Sequence, residues 1–237
     1  MTTLLACAPT YYRVPGPLAS LGRESSSEWV LRPAERPVRP DRPSRADPPV
    51  APARGVPAGI AAAAAGFVGD TSLVVSGERY RWDCSGFVEA SLAAAGCVFT
   101  GSSADLFEQA KELHVLHRRR MPSPGDVAFF DDTYDRNGNG RLDDALSHVA
   151  VVQSVAKDGT ITLVHLGSRG PAFLTMNLRH PEEQVGADGA VLNDILRAKK
   201  RGDSPRTRYL TAELWVAFAS YWEAPADQVA TAERSTR

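Results

Sequence analysis

Cys84 stands in the run Asp83-Cys84-Ser85-Gly86-Phe87, a polar entry into a stretch whose Val88, Leu92 and Ala95 recur at i, i+4 and i+7. That spacing predicts a helix from Cys84 to Ala95, ended by Gly96. A cysteine in the first turn of a helix lies among unpaired N–H groups and at the positive end of the macrodipole. Such a thiol falls from its usual ~8.5 to roughly 3.5–7.5, and the thiolate is the nucleophilic form. The N–H groups around Cys84 and Ser85 are candidates for holding an oxyanion. A buried, inert cysteine would carry the same local pattern, so the histidines decide.

Ser147-His148-Val149-Ala150-Val151-Val152 opens a β-branched run with a histidine at its leading end, and Leu163-Val164-His165 closes the next. Lys157-Asp158-Gly159 reads as the hairpin turn between them. Antiparallel neighbours on one face come within about 4.5–5.5 Å at Cβ. His148 is therefore the candidate base for Cys84, with His165 placed to bond its far nitrogen and fix its tautomer. Cys7, Cys84 and Cys97 are an odd number with no CxxC pair, which argues against a disulfide framework or a cysteine-based zinc site.

These residues need elements to position them. Helices are expected over Ile60–Phe67, Cys84–Ala95 and Ala104–Leu113, and strands over Asp126–Phe130, His148–Gln153, Thr160–His165 and Phe173–Leu178. Leu210–Tyr221 fits either helix or strand. Helices followed by consecutive antiparallel strands make an α+β domain, with N-terminal helices packed on an antiparallel sheet. The chain divides into an N-terminal segment (1–22), a Pro/Arg-rich linker (23–57) expected to be extended, the α+β domain (58–222) and a tail (223–237) read as disordered. With 237 residues and a net charge of −1, nothing favours nucleic acid or an anionic membrane as partner. No stretch reaches the ~18 apolar residues of a transmembrane helix.

The runs Asp-Cys-Ser-Gly-Phe-Val (83–88), Pro-Gly-Asp-Val-Ala-Phe-Phe (124–130), Ser-His-Val-Ala-Val-Val (147–152) and Val-His-Leu-Gly-Ser (164–168) resemble, in order, the NlpC family of peptidoglycan endopeptidases. The resemblance spans about residues 59–180. It implies a reduced papain-like core, a triad of Cys84, His148 and His165, and cleavage of amide bonds in the stem peptides of peptidoglycan, commonly after γ-D-glutamyl residues. No cofactor is required for that chemistry. Such a protein works in the bacterial cell envelope or is secreted, and is expected to be a monomer. An amidase or acyltransferase of the same fold, or a catalytically idle wall-binding module, are the competing readings. The family's Tyr-x-x-Gly-Gly run before the cysteine is replaced here by Ser76-Gly77-Glu78-Arg79-Tyr80-Arg81-Trp82. Tyr80 is the expected substitute for the family's site-lining tyrosine, and Trp82 is a second candidate for the substrate groove.

Four further patterns stand apart. Leu4-Leu5-Ala6-Cys7 resembles the lipobox of bacterial lipoproteins, which would put a lipid anchor on Cys7. Asp135, Asn137, Asn139, Arg141 (through its carbonyl) and Asp143, with Gly140 at the sixth position, match the start of an EF-hand loop and suggest a weak structural calcium site; Leu146 stands where the bidentate glutamate would be. His114 and His117 beside Arg118–Arg120 read as a solvated helix end, and Cys97 as a small buried hydrophobe.

Overall fold

The structure is a computed structural model that describes residues 55–224. The lipobox-like segment with Cys7, nearly all of the linker and the tail from 225 lie outside the described residues. The elements run α1 (Val56–Gly66), β1 (Val74–Val75), β2 (Glu78–Arg79), α2 (Cys84–Ala94), α3 (Ser103–Glu112), β3 (Leu116–His117), β4 (Val127–Phe130), β5 (His148–Val155), β6 (Thr160–Gly167), β7 (Gly170–Asn177), α4 (Thr211–Leu214) and β8 (Trp215–Ala219). A short 3-10 turn over Tyr221–Glu223 follows. The domain is α+β, as its order of elements implied. A six-stranded antiparallel sheet, ordered β3-β8-β4-β5-β6-β7, carries the helices α1 and α2 against one face.

Strand alternation sorts the apolar side chains into two cores. Val127, Phe129, Val149, Val151 and Val164 face the helices and pack with Ile60, Phe87, Leu92 and Leu106. Phe130, Val152, Leu163, Met176 and, from β8, Phe218 point to the other side, where Leu178, Ala212 and Leu214 cover them. Helices packed on one sheet face, as the order of elements implies, account for the first core; the second layer has no counterpart in that pattern. It is built from residues 178–214, a stretch with little regular structure held by side-chain bonds. Buried Asn193, for example, accepts from the Asn177 N–H at 2.9 Å and donates to the carbonyls of His180 and Glu183, each at 2.8 Å.

The differences in detail have local causes. α3 starts at Ser103 because Ser102 and Asp105 form a reciprocal capping box. Strand β7 begins at Gly170, ahead of the expected Phe173; Pro171 is tolerated there because β7 is an edge strand. The ambiguous 210–221 segment is one helical turn followed by strand β8, which inserts between β3 and β4. His117 lies in β3 and not on a solvated helix end: it is paired with Phe218 of β8, and its Nε2 sits 3.1 Å from Asp126. Cys97 is fully buried in the first core.

The Pro-Gly-Asp turn shows why those residue types recur. Gly125 has φ +89°, and a Cβ there would come within 2.5 Å of the Pro57 carbonyl oxygen. Asp126, 1% exposed, accepts from the Ser123 N–H (2.8 Å), Ser220 Oγ (2.8 Å) and Trp222 Nε1 (3.1 Å) besides His117. One carboxylate thus ties β3, β4 and the C-terminal end of the domain together, and each bond offsets its burial.

Candidate active site

Helix α2 begins at Cys84 because Asp83 caps it: Oδ1 accepts from the Gly86 N–H at 2.7 Å and from Ser85 Oγ at 2.9 Å. The chain just before the cap passes directly over the first turn, so a Cβ at Gly86 would collide with the Arg81 carbonyl. Arg81 in turn pairs with Glu89 of α2 at 2.7 Å and donates to the Gly101 carbonyl at 2.7 Å, while Glu89 accepts the Gly101 N–H. Neither Arg81 nor Glu89 was singled out in the sequence; the available signal was one acid within an otherwise apolar helix and an arginine three residues ahead of the cysteine.

Strand β5 supplies the other side. Its pairing with β4 starts at once, at Phe130↔His148, but its pairing with β6 starts only at Val151↔Val164. The leading end of β5 is therefore unpaired toward β6, and the Val149 N–H is directed to the Cys84 sulfur, as are the N–H groups of Ser85 and Cys84 itself. Across the same opening, His148 Nε2 lies 2.9 Å from His165 Nδ1. The two rings meet nearly edge to face, with centroids 5.1 Å apart. His165 has room to do so because residue 167 is glycine: a Cβ there would come within 3.0 Å of the imidazole.

The segment leading into β5 is pinned on both sides. Leu146 has φ +51°, a left-handed conformation that costs a non-glycine residue about 1 kcal/mol or more. Its N–H donates to Asp131 at 2.7 Å, and its carbonyl accepts from Ser103 Oγ at the start of α3. Ser147 accepts the Thr133 N–H at 2.9 Å and shares a 2.8 Å hydroxyl contact with Thr133. His148 is thus set by bonds from α3 and from the strand β4 side.

The electrostatics differ from the thiolate expected of a helix N-terminus. Burial pushes the Cys84 thiol above its ordinary value; the Val149, Ser85 and Cys84 N–H groups oppose this, and the charge of Asp83 adds to it. Burial likewise lowers His148 from 6.5 to about 3, helped by His165, and lowers His165 to about 4. At neutral pH the site is a neutral thiol beside two neutral imidazoles. A single hydrogen bond between two neutral rings needs one donor and one acceptor.

Other nominated residues are distributed as follows. Ser85 is buried and acts through its cap bonds and its N–H. Trp82, 45% exposed, lies over the β6–β7 turn, 3.8 Å from where a Cβ of Gly170 would stand. Tyr80 packs against the first core, and its hydroxyl is engaged by Glu78. In the inserted loop, Asp135 accepts the N–H groups of Asn139 (3.1 Å) and Gly140 (2.8 Å), Asn137 accepts that of Asn139 (2.9 Å), and Asn139 accepts that of Arg141 (2.7 Å). The Asn139 amide also reaches Asp143 at 3.4 Å. Among the described residues no group of three or more His, Cys, Asp or Glu is placed to hold a metal ion.

Residues 75–166, which run from β1 through His165, match the CHAP domain family. Among solved structures, the chain is similar to a lipoprotein-like NLP/P60-family protein from Staphylococcus aureus, at 19% identity over 53% of this chain, with a TM-score of 0.34. The match covers 39% of that protein, so the chain spans about two fifths of its length. No curated protein matches the chain. The matched segment carries Cys84, His148 and His165.

Proposed function

We propose that this domain is a cysteine hydrolase of the bacterial cell wall, cleaving amide bonds in peptidoglycan stem peptides next to γ-D-glutamyl residues through Cys84, His148 and His165. The observation that carries the reading is the 2.9 Å bond from His148 Nε2 to His165 Nδ1, made beside a helix N-terminal cysteine whose sulfur is approached by three backbone N–H groups. With Nε2 committed to His165, Nδ1 of His148 is the nitrogen left to accept a proton. As Cys84 attacks the scissile carbonyl, its S–H proton passes to Nδ1, a C–S bond forms and the carbonyl electrons move onto oxygen. Collapse of that oxyanion breaks the C–N bond, and the proton leaves His148 with the departing amine. Water then attacks the thioester with His148 again as base, releasing the carboxylic acid and restoring the thiol. His165 positions His148 and stabilises the imidazolium that forms in each step. The low proton affinity of both imidazoles ties proton transfer to the attack itself, so no ion pair precedes it.

The setting belongs to the same reading: the protein acts as a monomer outside the cytoplasm, in the envelope or after secretion, with Cys7 as candidate lipid anchor. Among the described residues no helix is long and apolar enough to cross a membrane. The loop of Asp135, Asn137, Asn139, Arg141 (through its carbonyl) and Asp143 is a candidate calcium site that would brace the approach to His148; it supplies oxygen donors suited to a hard cation, with Asp135 and Asp143 the two negatively charged ones among these five.

Incubating purified peptidoglycan with the wild-type protein and with Cys84→Ala, followed by mass analysis, tests the function. Wild type releases fragments one water heavier at a stem-peptide amide, and the variant releases none. Peptidoglycan unchanged by the wild type, or cleaved equally by Cys84→Ala, removes the reading.

A further inference from the structure

Tyr134 is the one aromatic residue on the arch between β4 and β5, and the arch holds it at the site. Three successive bridges lace its feet: Asp131 to the Leu146 N–H (2.7 Å), the Asp132 N–H to the Asp144 carbonyl (2.9 Å), and Thr133 to Ser147 (2.9 and 2.8 Å). Arg208, from the second layer, adds a 2.8 Å bond to Asp132 from outside. Thr133 is therefore fixed to the residue before His148, and Tyr134 leaves the lacing next to the open end of β5, where the Val149 N–H meets the Cys84 sulfur.

The side chain is held there without being used by the fold. Tyr134 is 47% exposed, and its hydroxyl has no hydrogen-bond partner among the described residues. Tyr80, the tyrosine nearest the nucleophile in sequence, is by contrast engaged by Glu78. The Tyr134 phenol is also within electrostatic reach of the nucleophile. Burial raises its pKa first and charge on Cys84 second, with Asp83 and Asp144 adding and Arg136 opposing. A phenol that feels charge on Sγ will also feel charge on the carbonyl oxygen, two bonds away from Sγ in the adduct, and its raised pKa keeps it a donor at neutral pH.

We propose that Tyr134 touches the substrate at the reacting carbon, its hydroxyl donating a hydrogen bond to the carbonyl oxygen that Cys84 attacks. The proposal rests on the cysteine-hydrolase reading above and adds a side-chain donor to the backbone N–H groups of the helix α2 terminus. Because the carbonyl oxygen gains charge as the C–S bond forms, the bond strengthens in the transition state and acts on kcat more than on KM.

The test compares wild type with Tyr134→Phe, which keeps the ring and removes only the hydroxyl. On purified peptidoglycan, kcat should fall about 10²-fold with KM within twofold, while Cys84 is alkylated by iodoacetamide at the wild-type rate. Unchanged kcat, a rise in KM alone, or a matching fall in alkylation each overturns the proposal. Alkaline absorbance titration reads the placement without any substrate. Blocking Cys84 with iodoacetamide removes the charge that the phenol feels, so one tyrosine should titrate at lower pH, and that change should vanish in Tyr134→Phe. Absence of the shift overturns the proposal even where the wild type cleaves; its presence in a protein that cleaves nothing leaves Tyr134 at Cys84 and removes only the hydrolase function.

Discussion

Nδ1 of His165 lies 2.9 Å from Nε2 of His148 although the two residues are not cross-strand partners. Continuing the Val151↔Val164 register would set His165 opposite Ala150, and His148 opposite Gly167. The rings meet on the diagonal, in the space where β5 and β6 separate and where Gly167 offers no side chain.

That geometry ranks substitutions at residue 165. His165→Ala removes the acceptor that holds His148 in its working tautomer, and kcat should fall about 10²-fold or more. His165→Asn keeps a short acceptor and should retain more activity than Ala. Steady-state kinetics on soluble wall fragments checks the order; equal rates for Ala and wild type would show that the second histidine has no positioning role.

Alkylation of Cys84 should follow a raised thiol pKa. The rate with iodoacetamide should climb as pH passes above 8.5 and show no plateau near pH 6, because burial and the Asp83 charge outweigh the helix N–H groups. Cys97, fully buried, should stay unlabelled in the folded protein. A flat, fast rate between pH 5 and 8 would mean that a thiolate–imidazolium pair exists at rest.

Stability should depend on pH at the same two histidines. Both are lowered in the folded state, to about 3 for His148 and about 4 for His165, so below 6.5 the unfolded chain binds protons that the folded chain does not. Stability is intact above pH 6.5 and is lost as pH falls toward 4, by up to about 1.4 kcal/mol per pH unit for each histidine. Chemical denaturation of His165→Gln between pH 7 and 4.5 should show a shallower loss than wild type. Identical slopes would place the acid sensitivity elsewhere.

Gly86→Ala tests the crossing over α2. The added methyl meets the Arg81 carbonyl, backbone against helix, so stability should drop by about 1–3 kcal/mol. At roughly 2–4 °C per kcal/mol for a domain of this size, the melting temperature should fall measurably. An unaltered melting curve together with full activity would show that Arg81 has room to move.

For the loop at 135–143, calcium at a few millimolar should raise the melting temperature above that of EDTA-treated protein, in keeping with the ~10⁻⁴–10⁻³ M affinity of extracellular modules. Asp135→Ala should remove the rise. No shift, and no heat on calorimetric titration, would leave the loop as a turn held by the Asp135, Asn137 and Asn139 side chains alone.

The sequence by itself determined the pieces whose signals are local. The Val88, Leu92 and Ala95 stripe and the stop at Gly96 announced α2, and β-branched runs around Asp158-Gly159 announced the β5–β6 hairpin. Cys84, His148 and His165 were legible for the same reason: each sits at or near an element end that composition marks. Tertiary structure alone decided what depends on distant chain segments. Strand β8 joins β4 across more than eighty residues, and the 178–214 layer covers a sheet face through bonds such as those of Asn193, which follow no period. Tyr134 came within electrostatic range of Cys84 although fifty residues away in sequence, while Tyr80, much nearer, is engaged by Glu78. The protonation of the site followed the same rule. A helix N-terminus is a local feature and favours a thiolate, but the desolvation that overrides it comes from side chains gathered from the whole fold.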